Sequence, residues 1–232
     1  MADPYRVVRD FEAALCEYTG ALFAVAVNSC TMALLLAVAW HLRDEPHCDC
    51  GDLSDLAPGV MRKQIEIPRR TYVSVPMSII HAGGKPVFRD EEWRGAYQLK
   101  PLPVWDSARL FTSGMLHPSQ KQGDMICVSF HASKTLGDTQ GGAILHDDPE
   151  ADEWLRRARF DGRIEGVTPM EQHLTGRLLD RKVEGFSVIG WHCYLSPDVA
   201  ARLLLKLYSL PRHNDPLPSD DYPDLSHMDI FR

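Results

Sequence analysis

Val7, Phe11 and Leu15 recur at four-residue spacing within Pro4 to Tyr18. This stripe predicts an amphipathic helix, and Gly20 is placed to stop it. Ala21 to Val27 is a short apolar run, strand-like or buried. The small polar turn Asn28-Ser29-Cys30-Thr31 follows it. Met32 to Leu42 is apolar on almost every face, which predicts a helix buried all round. Arg43 to Lys63 is polar and carries Pro46, Gly51, Pro58 and Gly59, so it reads as a surface loop or insertion. Ile65-Glu66-Ile67 predicts a strand ended by Pro68, and Thr71 to His81 a helix closed by Gly83-Gly84. Short strands are expected at Pro86 to Phe88, Leu102 to Trp105, Met125 to Phe130 and Gly142 to Leu145. Loops are expected at Trp93 to Lys100 and Ala132 to Gln140. Pro149 to Phe160 reads as an amphipathic helix, whereas Gly162 to Gly190 shows no clear period. Ser196-Pro197-Asp198 opens a further helix, with Ser at the N-cap, Pro at N1 and an acid in the first turn. It runs to about Leu210. The expected organisation is one domain over residues 1–210 and an extended Pro/Asp-rich tail over 211–232.

Strands alternate with helices for most of the length. This predicts an α/β fold of three layers, α/β/α, around a mostly parallel mixed sheet. Such sheets bind ligands beyond the carboxyl ends of their strands. Three polar groups fall at such ends: Ser29 to Thr31, Asp106, and Ser129 to Lys134.

Composition narrows the classes. Lys and Arg total 25 against 32 Asp and Glu, a formal net charge of −7 over 232 residues. Binders of nucleic acid or anionic membranes carry excess positive charge, so neither partner is expected. The longest apolar run, Met32 to Trp40, falls well short of the roughly 20 residues a membrane span needs. Met1-Ala2-Asp3-Pro4 has no basic stretch before an apolar core, so no signal peptide is expected. The cysteines at 16, 30, 48, 50, 127 and 193 then read as reduced thiols in a cytoplasmic protein. His47, Cys48 and Cys50 cluster, but one residue between the cysteines and no second pair is not zinc-site spacing. No metal is expected. Arg156-Arg157-Ala158-Arg159 reads as a solvated or ion-paired face.

The candidate chemistry lies at the strand ends. Ser29-Cys30-Thr31 precedes a helix, where exposed N–H groups can bind a phosphate or where Ser29 can simply cap. Asp106 can pair with a cationic ring nitrogen, or cap a turn. Lys134 follows a buried strand, where desolvation lowers a lysine's pKa and suits it to Schiff-base chemistry; a solvated surface lysine is the plain alternative.

Ser129-Phe130-His131-Ala132-Ser133-Lys134-Thr135-Leu136, followed by Gly141-Gly142-Ala143-Ile144, resembles the Schiff-base lysine motif of the DegT/DnrJ/EryC1/StrS sugar aminotransferases. Four further segments agree in order: Phe11 to Leu34, Pro68 to Asp90, Trp105-Asp106-Ser107-Ala108-Arg109, and Ser196 to Leu210. The resemblance implies the large domain of fold-type I enzymes that use pyridoxal 5′-phosphate (PLP). It implies a homodimer with shared sites, a donor such as glutamate, and a keto-sugar acceptor, nucleotide-linked. Lys134 would hold PLP and shuttle protons. Asp106 would pair with the ring nitrogen, and Tyr72 would stack on the ring. Ser29, Cys30, Thr31 and Ser129 would hold the phosphate, and Arg109 would stand near the ring oxygen. Lysine rather than histidine at 134 points to transamination rather than dehydration. His192 and Tyr194 stand where the family has cross-subunit Asn and Arg. Cys30, Arg109 and Gln140 replace the family's usual Gly, Gln or His, and Glu. The span from Asp90 to Val104 is short, and most of the small domain is absent. Two alternatives keep the scaffold: a PLP enzyme acting on a free amino acid or small amine, and a non-catalytic descendant with a binding role.

Overall fold

The computed structural model describes residues 3–44, 62–116, 123–164, 188–219 and 222–231. Its elements, in chain order, are α1 (Arg6–Thr19), β1 (Phe23–Val27), α2 (Cys30–Leu42), β2 (Gln64–Pro68), α3 (Ser74–His81), β3 (Lys85–Arg89) and β4 (Tyr97–Gln98). Then come β5 (Val104–Asp106), β6 (Met125–Ser129), β7 (Gly142–His146), α4 (Pro149–Ala158) and α5 (Pro197–Ser209), with a 3-10 turn at Asp229–Phe231.

Five strands form one sheet in the order β1-β7-β6-β5-β4, and β2 pairs with β3. The sheet is mixed, as expected, but not mostly parallel. Only β5–β6 runs parallel within it, while β1–β7, β6–β7 and β4–β5 are antiparallel. β2 and β3 are parallel to each other. Glu66 of β2 exchanges two backbone bonds with Lys100, at 2.7 and 3.1 Å, which ties this pair to the chain beyond β4.

The period-2 alternation of each strand separates two apolar layers. Val25, Val27, Cys127 and Ile144 face α2, α3 and α4. Ala24, Ala26, Ile126, Val128, Ala143 and Leu145 face α1 and α5. The three-layer α/β/α arrangement follows. β6 and β7 are buried along their whole length because helices cover both faces.

Local chemistry explains the element ends. Gly20 takes φ 83° and donates its N–H to the Cys16 carbonyl at 2.9 Å, closing α1 in the left-handed cap that its position predicts. The buried stripe of α1 runs through Val8, Phe11 and Leu15, with Val7 only partly covered. α3 starts at Ser74 rather than Thr71, because the Thr71 hydroxyl is tied to the Tyr97 hydroxyl and Tyr72 turns outward. β4 lies inside the stretch expected to be a loop; two residues suffice to pair Tyr97 with Asp106. α5 opens as predicted, with Ser196 at the N-cap, Pro197 next and Asp198 in the first turn, although the Ser196 hydroxyl donates to Asp198 at 2.7 Å rather than capping the backbone.

The basic run of α4 is ion-paired. Arg157 reaches Glu153 at 2.8 Å, and Arg156 reaches both Asp152 and Glu12 at 2.7 Å. Arg159, only 1% exposed, is buried against Glu12 of α1. The side of β1 turned away from β7 is occupied by these groups. The Ala24 carbonyl accepts from Arg156 at 3.1 Å and the Ala26 carbonyl from Arg159 at 2.7 Å, while the Ala26 N–H donates to Glu12 at 2.8 Å. Next along, the Asn28 N–H donates to the Cys193 carbonyl at 2.8 Å.

After α5 the chain crosses back over the domain. The Ser113 N–H donates to the Arg212 carbonyl at 2.9 Å, Leu217 N–H to the Arg109 carbonyl at 2.8 Å, and Leu225 N–H to the Arg69 carbonyl at 2.9 Å. Leu225 and Phe231 are buried. No helix among the described residues is long and apolar enough to cross a membrane. His47, Cys48 and Cys50 lie outside the described residues, and so does most of Gly162 to Gly190.

Candidate active site

β1, β5 and β6 are mutually parallel through β7, so their carboxyl ends meet the start of β7 at one edge of the sheet. A cavity of about 400 Å³ opens there. Ser29, Cys30, Thr31, Tyr72, Asp106, Arg109, Ser129 and Lys134 all line it. A larger cavity of about 690 Å³ lies beside α1 and α4. Its arginines 9, 156, 157 and 163 are each paired with a carboxylate, so the converging groups mark the smaller cavity as the site.

The turn after β1 becomes the first turn of α2. Ser29 is its N-cap, accepting from the Met32 N–H at 3.3 Å. The Thr31 hydroxyl shares a 2.8 Å bond with that of Ser74, and the Ser78 hydroxyl donates to the Thr31 carbonyl at 3.1 Å. Capping by Ser29 leaves the other N–H groups of this turn available to an anion. The N-terminus of α2 and a fan of hydroxyls face the cavity, an arrangement that suits a phosphate group. Burial pushes the Cys30 thiol well above its ordinary pKa, so it remains a neutral thiol.

The glycine pair makes this approach possible. Gly141 has φ 132° and bridges to Ser29. A Cβ on Gly142 would stand 2.5 Å from the Cys30 nitrogen and 2.6 Å from the Ser29 carbonyl carbon. These neighbours are backbone and cannot swing away. Gly142→Ala is therefore expected to destabilise the protein by about 1–3 kcal/mol through overpacking. It should also weaken binding of phosphate-bearing ligands. Urea unfolding checks the first effect, and an unshifted midpoint would refute it.

Asp106 ends β5 and is 4% exposed. One of its oxygens accepts from the Tyr97 hydroxyl at 2.7 Å and the other from the Ala108 N–H at 3.0 Å. Burial pushes its carboxyl above the usual range, opposed by these bonds and by the charges of Lys134 and Arg109. A buried carboxylate held by two neutral donors is short of a cationic partner in contact, and a protonated ring nitrogen supplies one.

Lys134 sits in the tight loop after β6. Its N–H donates to the His131 carbonyl, and the loop is closed by Phe130 N–H to Gly141 and Asp138 N–H to Phe130, all at 2.8–2.9 Å. Its charge acts on both Asp106 and Cys30, and all three line the same cavity. Asp138 anchors the loop to α5 through Lys206 at 2.8 Å and Arg202 at 3.0 Å, and these cations hold its carboxyl far below the usual range.

Arg109 donates from Nε to the Tyr222 hydroxyl at 2.9 Å. Tyr72 is 55% exposed, its ring 6.3 Å from that of Tyr222. Two contributors were not foreseen from the sequence. Tyr97 lay in an apparent loop, and Tyr222 lies in the tail, where no local pattern marks it. His192 and Tyr194 do not line the cavity. His192 pairs with Asp161 at 2.8 Å, and Tyr194 packs on Tyr5, Phe160 and His192. Among the described residues, no group of three or more His, Cys, Asp or Glu could hold a metal ion.

The spore coat polysaccharide biosynthesis protein SpsC of Bacillus subtilis is 26% identical over 194 residues, which cover 67% of this chain and 46% of that protein. A UDP-4-amino-4,6-dideoxy-N-acetyl-β-L-altrosamine transaminase of Campylobacter jejuni is 25% identical, covering 68% of this chain and 48% of its own length. This chain matches about half the length of these relatives. Among solved structures, Helicobacter pylori PseC, an aminotransferase involved in the biosynthesis of pseudoaminic acid, superposes with a TM-score of 0.59 at 19% identity. That match covers 91% of this chain and 64% of PseC. The family model for the DegT/DnrJ/EryC1/StrS aminotransferases matches residues 2–104 and 110–213, and with that the chain belongs to the DegT/DnrJ/EryC1/StrS aminotransferase family.

Proposed function

We propose that this chain is a PLP-dependent aminotransferase that moves an amino group from a donor such as glutamate to the keto group of a sugar, nucleotide-linked. The observation that carries this reading is the convergence of Lys134, Asp106 and the Ser29–Thr31 turn on one cavity at the carboxyl ends of three parallel strands. Its donor set fits PLP: a cationic amine, a buried carboxylate and a helix N-terminus flanked by hydroxyls. Bound there, PLP supplies an electron sink for the carbon that gains or loses the amino group.

The chain's own residues do the rest. The Ser29, Thr31 and Ser129 hydroxyls and the α2 N-terminus hold the phosphate. Asp106 keeps a proton on the ring nitrogen, and Tyr72 covers the ring face. Lys134 anchors the cofactor through its Nζ and, once released, carries protons at the same atom. His192 and Tyr194 stand outside this cavity. A role for them at the site requires a second copy, so a cytoplasmic homodimer is part of the proposal.

The test is an absorption titration of the purified protein with PLP, before and after glutamate, followed by a panel of nucleotide-linked keto-sugars. A visible band that glutamate bleaches and a keto-sugar restores supports the reading. A band that ignores every keto-sugar but responds to free amino acids favours the amino-acid alternative. No band at all removes the proposal. Asp106→Asn should keep cofactor binding but lower turnover by about 10²–10³-fold, since a neutral amide does not hold the ring proton. A loss under tenfold would contradict the role given to Asp106.

A further inference from the structure

The family match ends at residue 213, yet a residue beyond it reaches the site. Tyr222 presents its hydroxyl to Arg109 Nε at 2.9 Å, and the Arg109 guanidinium carbon lies 4.9 Å from the centroid of the Tyr222 ring. An arginine has many rotamers and a rigid fork of donors, so a hydroxyl acceptor together with a ring face narrows the orientations open to it. The ring of Tyr222 is itself fixed. It stacks on Trp93 at 6.0 Å with planes 18° apart and meets the edge of Tyr72 at 6.3 Å. The chain on either side is tied down. The Ser219 hydroxyl donates to the Trp93 carbonyl at 2.8 Å, and Asp224 bridges to Arg70. The buried Leu225 bonds back to Arg69. The main-chain carbonyl of Arg109 is also held from the tail, by the Leu217 N–H at 2.8 Å.

We propose that Tyr222 is a positioning residue of the active site: it fixes the Arg109 guanidinium at the cavity wall and, with Tyr72, forms the aromatic mouth through which PLP and substrate enter. The proposal rests on the PLP reading above. It makes the last twenty or so residues part of the binding machinery, because they carry the group that aims Arg109.

The test compares wild type with Tyr222→Phe, which keeps the ring and loses the acceptor, and with Tyr222→Ala. Two readouts are taken: solvent exchange of the Arg109 Nε–H by NMR in the cofactor-free protein, with the resonance assigned through Arg109→Lys, and PLP affinity from the visible band. Tyr222→Phe should speed exchange of the Arg109 Nε–H at least about tenfold and weaken PLP about threefold to tenfold, with the thermal midpoint of the cofactor-free protein unchanged. Tyr222→Ala should weaken PLP further. A merely structural tyrosine would move the midpoint and leave Tyr222→Phe like wild type in exchange and affinity; that result overturns the proposal. Wild-type protein that binds no PLP overturns the functional reading instead, and the exchange measurement still decides whether Tyr222 holds Arg109.

Discussion

Lys134→Ala is expected to lower transamination by about 10⁴-fold, because one side chain serves as both anchor and proton carrier. The backbone of the loop that presents it has ties of its own. Its shape comes from the backbone bonds of Phe130, Lys134 and Asp138, and from Gly137, where a Cβ would stand 2.6 Å from the Ala132 carbonyl. The ion pairs from Asp138 to α5 lie outside the cavity. The alanine variant should therefore fold. Lys134→Arg should be equally inactive, since a guanidinium does not give up its proton near neutral pH. Single-turnover absorbance with glutamate measures the effect. Turnover within tenfold of wild type in either variant would remove Lys134 from the chemistry.

The largest expected effect on stability lies away from the cavity. Arg159→Ala should cost about 3–5 kcal/mol, because it leaves the buried Glu12 carboxylate with one fewer cation and the Ala26 carbonyl without that donor. Glu12→Gln together with Arg159→Met should cost less than the two single changes added, since the pair is removed together. Urea unfolding measures both, and a single-variant loss under 1 kcal/mol would contradict the account. The same cluster sets the response to acid. Burial pushes the Glu12 carboxyl up, but Arg159 and Arg156 outweigh it and hold the pKa below its ordinary 4.5. The folded state thus binds fewer protons than the unfolded chain. Its contribution is complete above about pH 4.5 and is lost as pH falls through the lowered folded value. His41, pushed down to about 4 by burial, acts earlier. It favours unfolding as pH falls from 6.5 toward 4, where only the unfolded chain is protonated. Stability should therefore decline in two stages below pH 6.5, and Glu12→Gln should shrink the lower one, to which Asp138 also contributes.

What could be read from the sequence was what local pattern encodes. α2 is apolar all round and buried, and β6 and β7 are apolar runs covered on both faces. Ser29, Asp106, Ser129 and Lys134 could be placed together because each stands at a strand end, and such ends gather in an α/β sheet. Strand direction was harder, since the antiparallel return of β7 between β1 and β6 leaves no trace in a buried apolar run. Contacts between distant segments were not legible. Arg109 and Tyr222 are 113 residues apart, and Glu12 and Arg159 are 147 apart. The run containing Arg159 read as a solvated or ion-paired face; the ion pairs are there, but helical position alone does not show that α4 buries one of them against β1. His192 and Tyr194 were tied to the site only by a resemblance, and within one chain they hold other partners.

The polar groups gathered on the free side of β1 have one more consequence. A strand at the margin of a sheet presents unpaired N–H and C=O groups, a template on which another chain can add. Here Glu12, Arg156, Arg159 and the Cys193 carbonyl take those positions in place of a neighbouring strand. The cluster thus insulates the sheet against association through its margin as well as supporting the fold. Variants that break it should show their defect first as protein lost to aggregates, at temperatures where the intact chain stays monodisperse.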